Sequence, residues 1–436
     1  MPVDLEQRGS GVRARIAPLL GPTAAMFALT LAASGVNYAS NIVFSRVLTP
    51  ASFGDLTALL ALTVVAAVPS GAAQTVMADR IAAHMASGQP MKAAYLIRHA
   101  TAHLMVYVAI LGCVYLISTP FLDDALNLQS ANTLIALTPM LLLSFFTPLA
   151  FGILQGLERF VALGLVMLWI AVSRIAFGVP WALSDFGGGP GGALLGMAIG
   201  NLLALIATGW VIREYLLRRG TGAATAGLRR RLDTVALSAG GAFVGFAILS
   251  NFDVVLAKIT LDPAESGNYA ALATIGKIIF FLPGAVALLM VPRAARARVK
   301  HGSATRVLRL AALAVTAATL ALTVPAAIAP EFVVRTMFGG EYVASSDGVL
   351  PIALAGAGTA LINLLVVYTV AIGDRRWLSL LLAGVAVQVA TILTFGESAA
   401  DVAIAQAVTV WLVLVVNELL FHPLLRAARL TSASPK

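Results

Sequence analysis

One stretch of the sequence decides the fold because it occurs twice, as RVLTPASFGDLTALLALTVVAAVPSGAAQTVMADR (residues 46–80) and as ITLDPAESGNYAALATIGKIIFFLPGAVALLMVPR (residues 259–293). Each copy begins with a short turn and continues through an apolar run. At a constant offset of 213 residues the copies share a proline, two glycines, a methionine and an arginine, namely Pro50/Pro263, Gly54/Gly267, Gly71/Gly284, Met77/Met290 and Arg80/Arg293. We interpret this pattern as an internal duplication of about half the chain.

The composition around this repeat is that of a membrane protein. The 436 residues are 59% hydrophobic and 11% charged, with a mean hydropathy of +0.92, whereas soluble domains carry roughly 25% charged residues. A membrane-spanning helix needs about 20 apolar residues. Such runs lie at 21–46, 55–78, 97–118, 131–155, 161–182, 191–212, 234–257, 268–291, 307–328, 348–371, 377–395 and 402–422. We predict an all-α polytopic membrane protein of about twelve transmembrane helices.

The basic residues give the predicted orientation. Of the 29 Lys and Arg residues, 24 fall in segments on one side of the spans, whereas only Arg46, Lys258 and Arg335 fall on the other side. Cytoplasmic loops are enriched in Lys and Arg, so we predict a multi-pass protein of the cytoplasmic (inner) membrane with both termini in the cytoplasm. The net charge of +9 is spread between apolar runs rather than gathered on a packed domain, so we expect no nucleic-acid partner.

The repeat also predicts the domain organisation. Residues 1–20 form a cytoplasmic N-terminal segment, 21–217 an N-lobe (spans 1–6), 218–233 a basic cytoplasmic linker, 234–424 a C-lobe (spans 7–12) and 425–436 a cytoplasmic tail. Six spans per copy is an even number, so both copies have one orientation and the axis that relates them lies along the membrane normal. The longest external segment, near 330–347, is too short for a domain with its own core.

Two segments carry a family resemblance, NIVFSRVLTPASFGDLTALLAL (41–62) and NFDVVLAKITLDPAESGNYAALATIGKIIFFLPGAVALLMVPR (251–293). The sequence resembles the multidrug/oligosaccharidyl-lipid/polysaccharide exporter superfamily, and within it the polysaccharide transporter branch that flips lipid-linked oligosaccharides. The resemblance implies two pseudo-symmetric six-helix lobes around a V-shaped central cavity that opens alternately to each side. The extra C-terminal helix pair of lipid II flippases is missing from this sequence, which favours the twelve-span branch.

The resemblance also implies a function and its partners. The substrate is a polyprenyl-pyrophosphate-linked oligosaccharide used for cell-surface polysaccharide biosynthesis, which crosses by alternating access. The expected partners are this lipid-linked glycan, membrane lipids, H⁺ or Na⁺ as a coupling ion, and a polysaccharide polymerase or glycosyltransferase.

Two basic residues lie deep in predicted spans. A charge at the bilayer centre costs roughly 2.5 to 3.5 kcal/mol, so it should face a cavity or a partner. Lys277 lies too deep in span eight to reach the interface, and we expect it to bind the substrate pyrophosphate or, alternatively, to form a fixed ion pair with Asp253. Arg174 in span five is predicted to face phosphate, because guanidinium groups bind phosphate bidentately. Its alternative is to snorkel outward over Phe177.

The remaining predicted site residues are less deeply placed. Arg46 and Lys258 lie at the outer ends of spans one and seven, and together with Gln74 and Asn251 they complete the predicted substrate-binding set. Asp253 is predicted to bind the coupling ion, or else to be a carboxylate near the interface. For Gln74 the alternative is a hydrogen bond between helices. The same two interpretations, a hydrophilic path or interhelical bonding, apply to Asn37, Asn41, Asn201 and Asn363.

Several functions are disfavoured by what the sequence does not contain. It has no G-x-x-x-x-G-K-[ST] phosphate loop and no H-E-x-x-H zinc motif, so we predict no enzyme activity, no cofactor and no metal. A membrane glycosyltransferase or polymerase would have to use Asp123 and Asp124, and such enzymes usually have a large external loop. An ion-coupled multidrug antiporter of the same superfamily is the other alternative, but binding cationic drugs calls for intramembrane carboxylates, and the deep charges here are mainly basic.

Overall fold

The computed structural model describes residues 22–130, 132–184, 188–217, 234–298, 304–372 and 376–421. Within these residues the chain is almost entirely helical and contains no strand. The twelve long helices are α1 (Pro22–Val47), α2 (Pro50–Ala86), α3 (Pro90–Leu126), α4 (Asn132–Gly156), α5 (Phe160–Ala182), α6 (Gly189–Val211), α7 (Thr234–Thr260), α8 (Pro263–Arg298), α9 (Ala304–Ile328), α10 (Val349–Ile372), α11 (Arg376–Phe395) and α12 (Ala399–Phe421). The predicted N-terminal segment, basic linker and C-terminal tail lie outside the described residues.

Four short elements complete this part of the chain. A π-helical turn, Arg174–Gly178, interrupts α5, and a short helix, Arg213–Leu217, follows α6. Between α9 and α10 lie a helix, Pro330–Met337, and a 3₁₀ helix, Gly340–Gly348. The longest predicted external segment is therefore helical, and it is too small to form a domain.

The helices confirm a multi-pass membrane protein. Eleven helices in the described residues are long and apolar enough to span a membrane. The remaining long helix is α8, whose first half carries Glu265, Asn268 and Lys277 among its apolar residues. Helices α2 and α3 have 37 residues each, about 55 Å at 1.5 Å per residue, and so overrun the predicted spans. Hydropathy locates the part of a helix that lies in lipid, not where the helix ends.

Proline begins helices at matching places in the two copies. Pro50 begins α2 and Pro263 begins α8, because proline has no N–H to leave unbonded and its fixed φ suits the first helical turn. The Thr49 side chain also accepts a hydrogen bond from the Ser52 amide at 3.3 Å. These short turns join α1 to α2 and α7 to α8. They lie at the end of the bundle that the charge bias predicts to face outside, which we call the external end.

The two halves repeat the same packing. In the N-lobe, α1 packs on α5, α2 on α4, α4 on α6, and α3 on α4; in the C-lobe, α7 packs on α11, α8 on α10, α10 on α12, and α9 on α10. Adding six to each N-lobe helix number gives the C-lobe pairs. This agreement confirms the predicted two pseudo-symmetric six-helix lobes. Between the lobes, α2 makes most of the contacts, with α7 and α8, whereas α1 and α8 contact each other little.

The apolar core shows which ends of the lobes meet. Near the external end, side chains of both lobes form one continuous cluster, which includes Phe44, Phe53, Leu59, Tyr269, Leu272 and Ile352. At the opposite end the described residues form two separate clusters. One belongs to the N-lobe, with Ile81, Ile97 and Leu163, and the other to the C-lobe, with Leu308, Ile362 and Trp377. The lobes are thus joined at the external end and have independent cores at the opposite end.

We expect Gly152→Ala to destabilise the N-lobe. A Cβ at Gly152 on α4 would lie 2.4 Å from the carbonyl oxygen of Gln74 on α2, so the two helices would have to separate, and such overpacking costs about 1–3 kcal/mol. Thermal unfolding of the detergent-solubilised protein measures the effect. Gly71→Ala is the matched control, because a Cβ there would meet no atom within 4 Å. Equal melting temperatures for the two variants would contradict this account of the α2–α4 contact.

Candidate functional site

Arg174 lies in a cavity inside the N-lobe. The cavity is bounded by α1, α4, α5 and α6 and has a volume of about 260 Å³. Its polar lining comprises Ser34, Asn37, Thr147, Arg174 and Asn201, while methionine, phenylalanine and aliphatic side chains form the rest. Thr147 donates a hydrogen bond to Asn201 at 3.1 Å. The cavity therefore has a mostly apolar wall with one positive charge.

The Arg174 guanidinium is held by helix α1. One terminal nitrogen donates to Asn37 Oδ1, and the other donates to Asn41 Oδ1 at 3.2 Å. Its Nε is buried and has no hydrogen-bond partner among the described residues. Arg174 also begins the π-helical turn of α5, and such turns occur frequently at functional sites. Two neutral amides orient the cation without neutralising it, so its charge remains available to an anion.

Lys277 lies in a second, smaller cavity inside the C-lobe. It follows Pro263, the first residue of α8, by 14 positions, which places it about 21 Å along the helix, deeper than the predicted span implied. The cavity has a volume of about 30 Å³ and includes Ser250, Asp253, Thr359 and Gln406 in its lining. This volume holds one or two waters at most. A ligand as large as a sugar would have to reach Lys277 from the lobe interface.

Asp253 shares this cavity but is bonded elsewhere. Its Oδ2 accepts a hydrogen bond of 2.6 Å from the Tyr269 hydroxyl of α8, and both residues are buried. Its Oδ1 is buried without a hydrogen-bond partner among the described residues. No salt bridge joins Asp253 to Lys277 in the part of the chain that the structure describes. The alternative of a fixed ion pair between them is therefore not realised in this structure.

The two deep cations belong to different lobes, Arg174 to the N-lobe and Lys277 to the C-lobe. Lys277 interacts electrostatically with both Asp253 and Arg174, and more strongly with Asp253. Close by, Tyr38 of α1 contacts Phe281 of α8 edge to face, with ring centroids 5.4 Å apart, and Tyr38 is also within electrostatic range of Arg174. We call Arg174 and Lys277 the basic pair.

Arg46 and Lys258 lie outside both cavities. Arg46 is exposed at the end of α1, and its guanidinium donates to the carbonyl oxygens of Thr336 and Met337. Lys258 is buried at the end of α7, with its Nζ 2.6 Å from Asp55 Oδ1 on α2. Both side chains therefore bind protein groups of the other lobe. The structure does not bring them together with the basic pair in one cavity.

The two predicted amides make local contacts. The Gln74 side chain donates to Gln155 Oε1 of α4 at 3.1 Å, which is the interhelical bond weighed as its alternative. The Asn251 side chain donates to the Ala247 carbonyl oxygen of its own helix at 3.0 Å. Neither contact shows that Gln74 or Asn251 binds a ligand. Their predicted role in substrate binding stays a prediction.

The chain matches a known sequence family. The profile of a sequence family described as "Polysaccharide biosynthesis protein" matches residues 20–296, well over half of the chain. The chain belongs to this polysaccharide biosynthesis family. No curated protein sequence matches it significantly.

Solved structures with similar folds come from the same superfamily as the resemblance. An inward-facing multidrug resistance MATE family transporter of the MOP superfamily has a TM-score of 0.71 at 15% identity, covering 97% of this chain and 99% of its own. The lipid II flippase MurJ in an inward closed conformation has a TM-score of 0.66 at 12% identity, covering 92% and 89%. An outward-facing MATE family transporter has a TM-score of 0.55 at 17% identity, covering 95% and 98%. These similarities establish a MATE/MurJ-like fold for this member of the polysaccharide biosynthesis family.

Sequence reasoning missed two residues that the structure makes prominent. Asp55 pairs with Lys258, and Tyr269 donates to Asp253. A signal was present for Asp55, because this carboxylate lies within the duplicated motif, where a purely apolar residue would suit a membrane helix better. For Tyr269 the sequence gives no signal, since tyrosine is common in membrane proteins.

We expect Tyr269→Phe to destabilise the protein by about 1–3 kcal/mol, because it leaves the buried Asp253 carboxylate without its hydrogen-bond donor. The melting temperature in detergent measures this loss. Tyr107→Phe is the matched control, since Tyr107 is 63% exposed on α3. If both variants melt at the same temperature, the Asp253–Tyr269 bond does not contribute as described.

Proposed function

We propose that this member of the polysaccharide biosynthesis family flips a polyprenyl-pyrophosphate-linked oligosaccharide across the cytoplasmic membrane for cell-surface polysaccharide biosynthesis. The observation that carries the proposal is the basic pair, Arg174 and Lys277, which supplies one cation in a cavity of each lobe. A pyrophosphate linkage carries negative charge that two cations can share. Guanidinium binds phosphate oxygens through a planar fork, while an ammonium acts as a point charge.

The architecture also supports alternating access. The lobes share a core at the external end but have separate cores at the cytoplasmic end. A substrate made in the cytoplasmic leaflet would enter between the separate ends, with its prenyl tail remaining in lipid and its head group among the lobe surfaces. Rocking of the lobes about the pseudo-symmetry axis would then expose the head group to the outside. A polysaccharide polymerase or glycosyltransferase would use the product there.

Two other functions receive less support. A cation-drug antiporter would need a carboxylate in a cavity large enough for a drug, whereas Asp253 lines a cavity of only about 30 Å³. A glycosyltransferase would place its catalytic acids in a shaped site. The external segment between α9 and α10 supplies only two short helices, and Asp124 is exposed at the end of α3.

We expect Lys277→Ala and Arg174→Gln each to abolish flipping, because one cation alone binds the pyrophosphate weakly. In a deletion strain, the lipid-linked glycan should accumulate in the cytoplasmic leaflet, and neither variant should restore its transfer at normal protein levels. Lys277→Arg should restore it partly, because the charge is kept. Arg335→Gln, an exposed cation of the external segment, should restore it fully.

Either of two results would overturn the proposal. One is an unchanged distribution of the glycan between leaflets in the deletion strain. The other is new drug sensitivity in that strain, reversed by the parent protein, which would identify the chain as a multidrug antiporter.

We also propose that Asp253 carries the coupling ion, H⁺ or Na⁺. Asp253→Asn keeps an acceptor for Tyr269 but removes the charge, so flipping should continue without responding to an ion gradient. Transfer of the glycan in proteoliposomes, with and without a pH or Na⁺ gradient, measures this. Asp124→Asn is the control, and a gradient response in Asp253→Asn equal to that of the control would contradict the assignment.

A further inference from the structure

Asp55 and Lys258 form an ion pair between the lobes. Asp55 belongs to α2 of the N-lobe and Lys258 to α7 of the C-lobe, and their side chains are 0% and 1% exposed at a separation of 2.6 Å. The backbone amide of Gln129 also donates to Asp55 Oδ2 at 3.2 Å, which ties the carboxylate to its own lobe. A buried ion pair adds little stability over apolar packing, whereas loss of one partner leaves a costly unpaired charge. The pair therefore favours one arrangement of the lobes more than it stabilises either lobe.

The lobes cross beside this pair at two glycines. A Cβ on Gly54 of α2 would lie 2.6 Å from Ser266 Oγ and 2.9 Å from the Gly267 nitrogen, and a Cβ on Gly267 would lie 1.8 Å from the Pro50 carbonyl oxygen. Gly54 and Gly267 are equivalent in the internal repeat, so the crossing lies close to the pseudo-symmetry axis. Only residues without a side chain allow this approach of the two backbones.

A third contact between the lobes lies at the surface. Arg46 of α1 donates to the last carbonyl groups of the C-lobe helix Pro330–Met337, where a cation is favoured by the helix dipole. Beside it, the Tyr342 hydroxyl donates to the Ser45 carbonyl oxygen at 3.1 Å. The Tyr342 ring is also edge-on to Phe53, with centroids 6.2 Å apart. The segment after α9 thus contacts the end of α1 and the start of α2.

The ion pair has no counterpart on the other side of the axis. At the repeat offset of 213 residues, Asp55 corresponds to Asn268 and Lys258 to Ser45. Asn268 donates to Glu265 of its own lobe at 3.0 Å, and the Ser45 side chain donates to Ile42 of its own helix at 2.8 Å. An ion pair therefore joins α2 to α7 across the lobe interface, whereas the equivalent residues of α1 and α8 form none.

We propose that Asp55 and Lys258 are the releasable contact of an external gate, which consists of this pair, the Gly54–Gly267 crossing and the Arg46 cap. The pair forms when the external end closes. It separates when the lobes part, because water entering the opening then solvates both charges. Arg46 and Lys258 accordingly act on the gate rather than as ligands of the substrate.

The test measures opening directly. Cys113→Ala removes the single cysteine of the chain, and Ala58→Cys places a reporter one turn beyond Gly54, at a position 1% exposed in the closed gate. A membrane-impermeant maleimide is added to intact cells. We expect Asp55→Asn and Lys258→Met to speed labelling at least about tenfold, because the closed state loses its pair. The charge-reversed double variant, Asp55→Lys with Lys258→Asp, should return labelling toward the parental rate.

Matched controls separate the gate from general loosening. Asp124→Asn removes an exposed carboxylate at the same end and should label at the parental rate. Gly267→Ala should speed labelling, whereas Gly71→Ala on α2 should not, because its Cβ would meet no atom within 4 Å. Parental labelling rates in properly folded Asp55→Asn and Lys258→Met would overturn the proposal.

If the single variants do not fold, a double variant with a neutral pair tests the gate. Asp55→Asn with Lys258→Gln leaves no unpaired buried charge, so faster labelling supports the gate and a parental rate overturns it. Labelling requires no substrate. The labelling rates can therefore contradict the gate proposal without affecting the flippase proposal. If the flippase proposal is contradicted, the labelling rates still test the gate.

Discussion

An isolated charge inside the hydrocarbon region costs roughly 2.5 to 3.5 kcal/mol on insertion scales, and this cost explains why the charged side chains that the helices enclose have polar surroundings. Arg174 is bonded to two asparagines of α1. Asp253 is bonded to a tyrosine of α8, and Lys258 meets a carboxylate of α2. Lys277 lines a small cavity together with Asp253 and Gln406. A charge whose polar partners lie in its own lobe is independent of the other lobe. A charge that pairs with the other lobe depends on how the two lobes are arranged.

The two lobes repeat their packing but not their chemistry. The same helix pairs recur in each half, and both copies keep glycine where α2 and α8 cross. Close packing on a pseudo-symmetry axis permits only small residues in both copies, since each copy meets the other's equivalent. Charge is not constrained in this way, because one residue of each sign suffices for a pair. Asp55 and Lys258 therefore join α2 to α7, while Asn268 and Ser45 occupy the equivalent positions on α8 and α1.

Much of this fold follows from the sequence, because the length of apolar runs and the distribution of Lys and Arg reflect the bilayer itself. The boundaries of α2, α3 and α8 do not follow, since a helix that leaves the membrane continues wherever its hydrogen bonds and neighbours allow. The partner of Lys258 was equally hidden, because the two charges are 203 residues apart and meet only through the register of the lobe crossing. Arg46 caps a helix of eight residues, too short for hydropathy to predict.

The basic pair and the gate are connected by the division of the molecule into lobes. If the lobes rock as proposed, Arg174 would move with the N-lobe and Lys277 with the C-lobe, and the distance between them would change. A ligand shifts a conformational equilibrium only by its difference in affinity for the two states. A pyrophosphate bound by both cations would have such a difference, because the two cations would not keep one separation in both states. Asp253 and Tyr269 both belong to the C-lobe and move together, so an ion bound there acts on the lobes only through contacts it makes or breaks elsewhere. Under the proposed function, binding at the basic pair would therefore couple to the external gate through geometry alone. Coupling to an ion gradient would require a further contact between the Asp253 cavity, which Lys277 also lines, and the lobe interface.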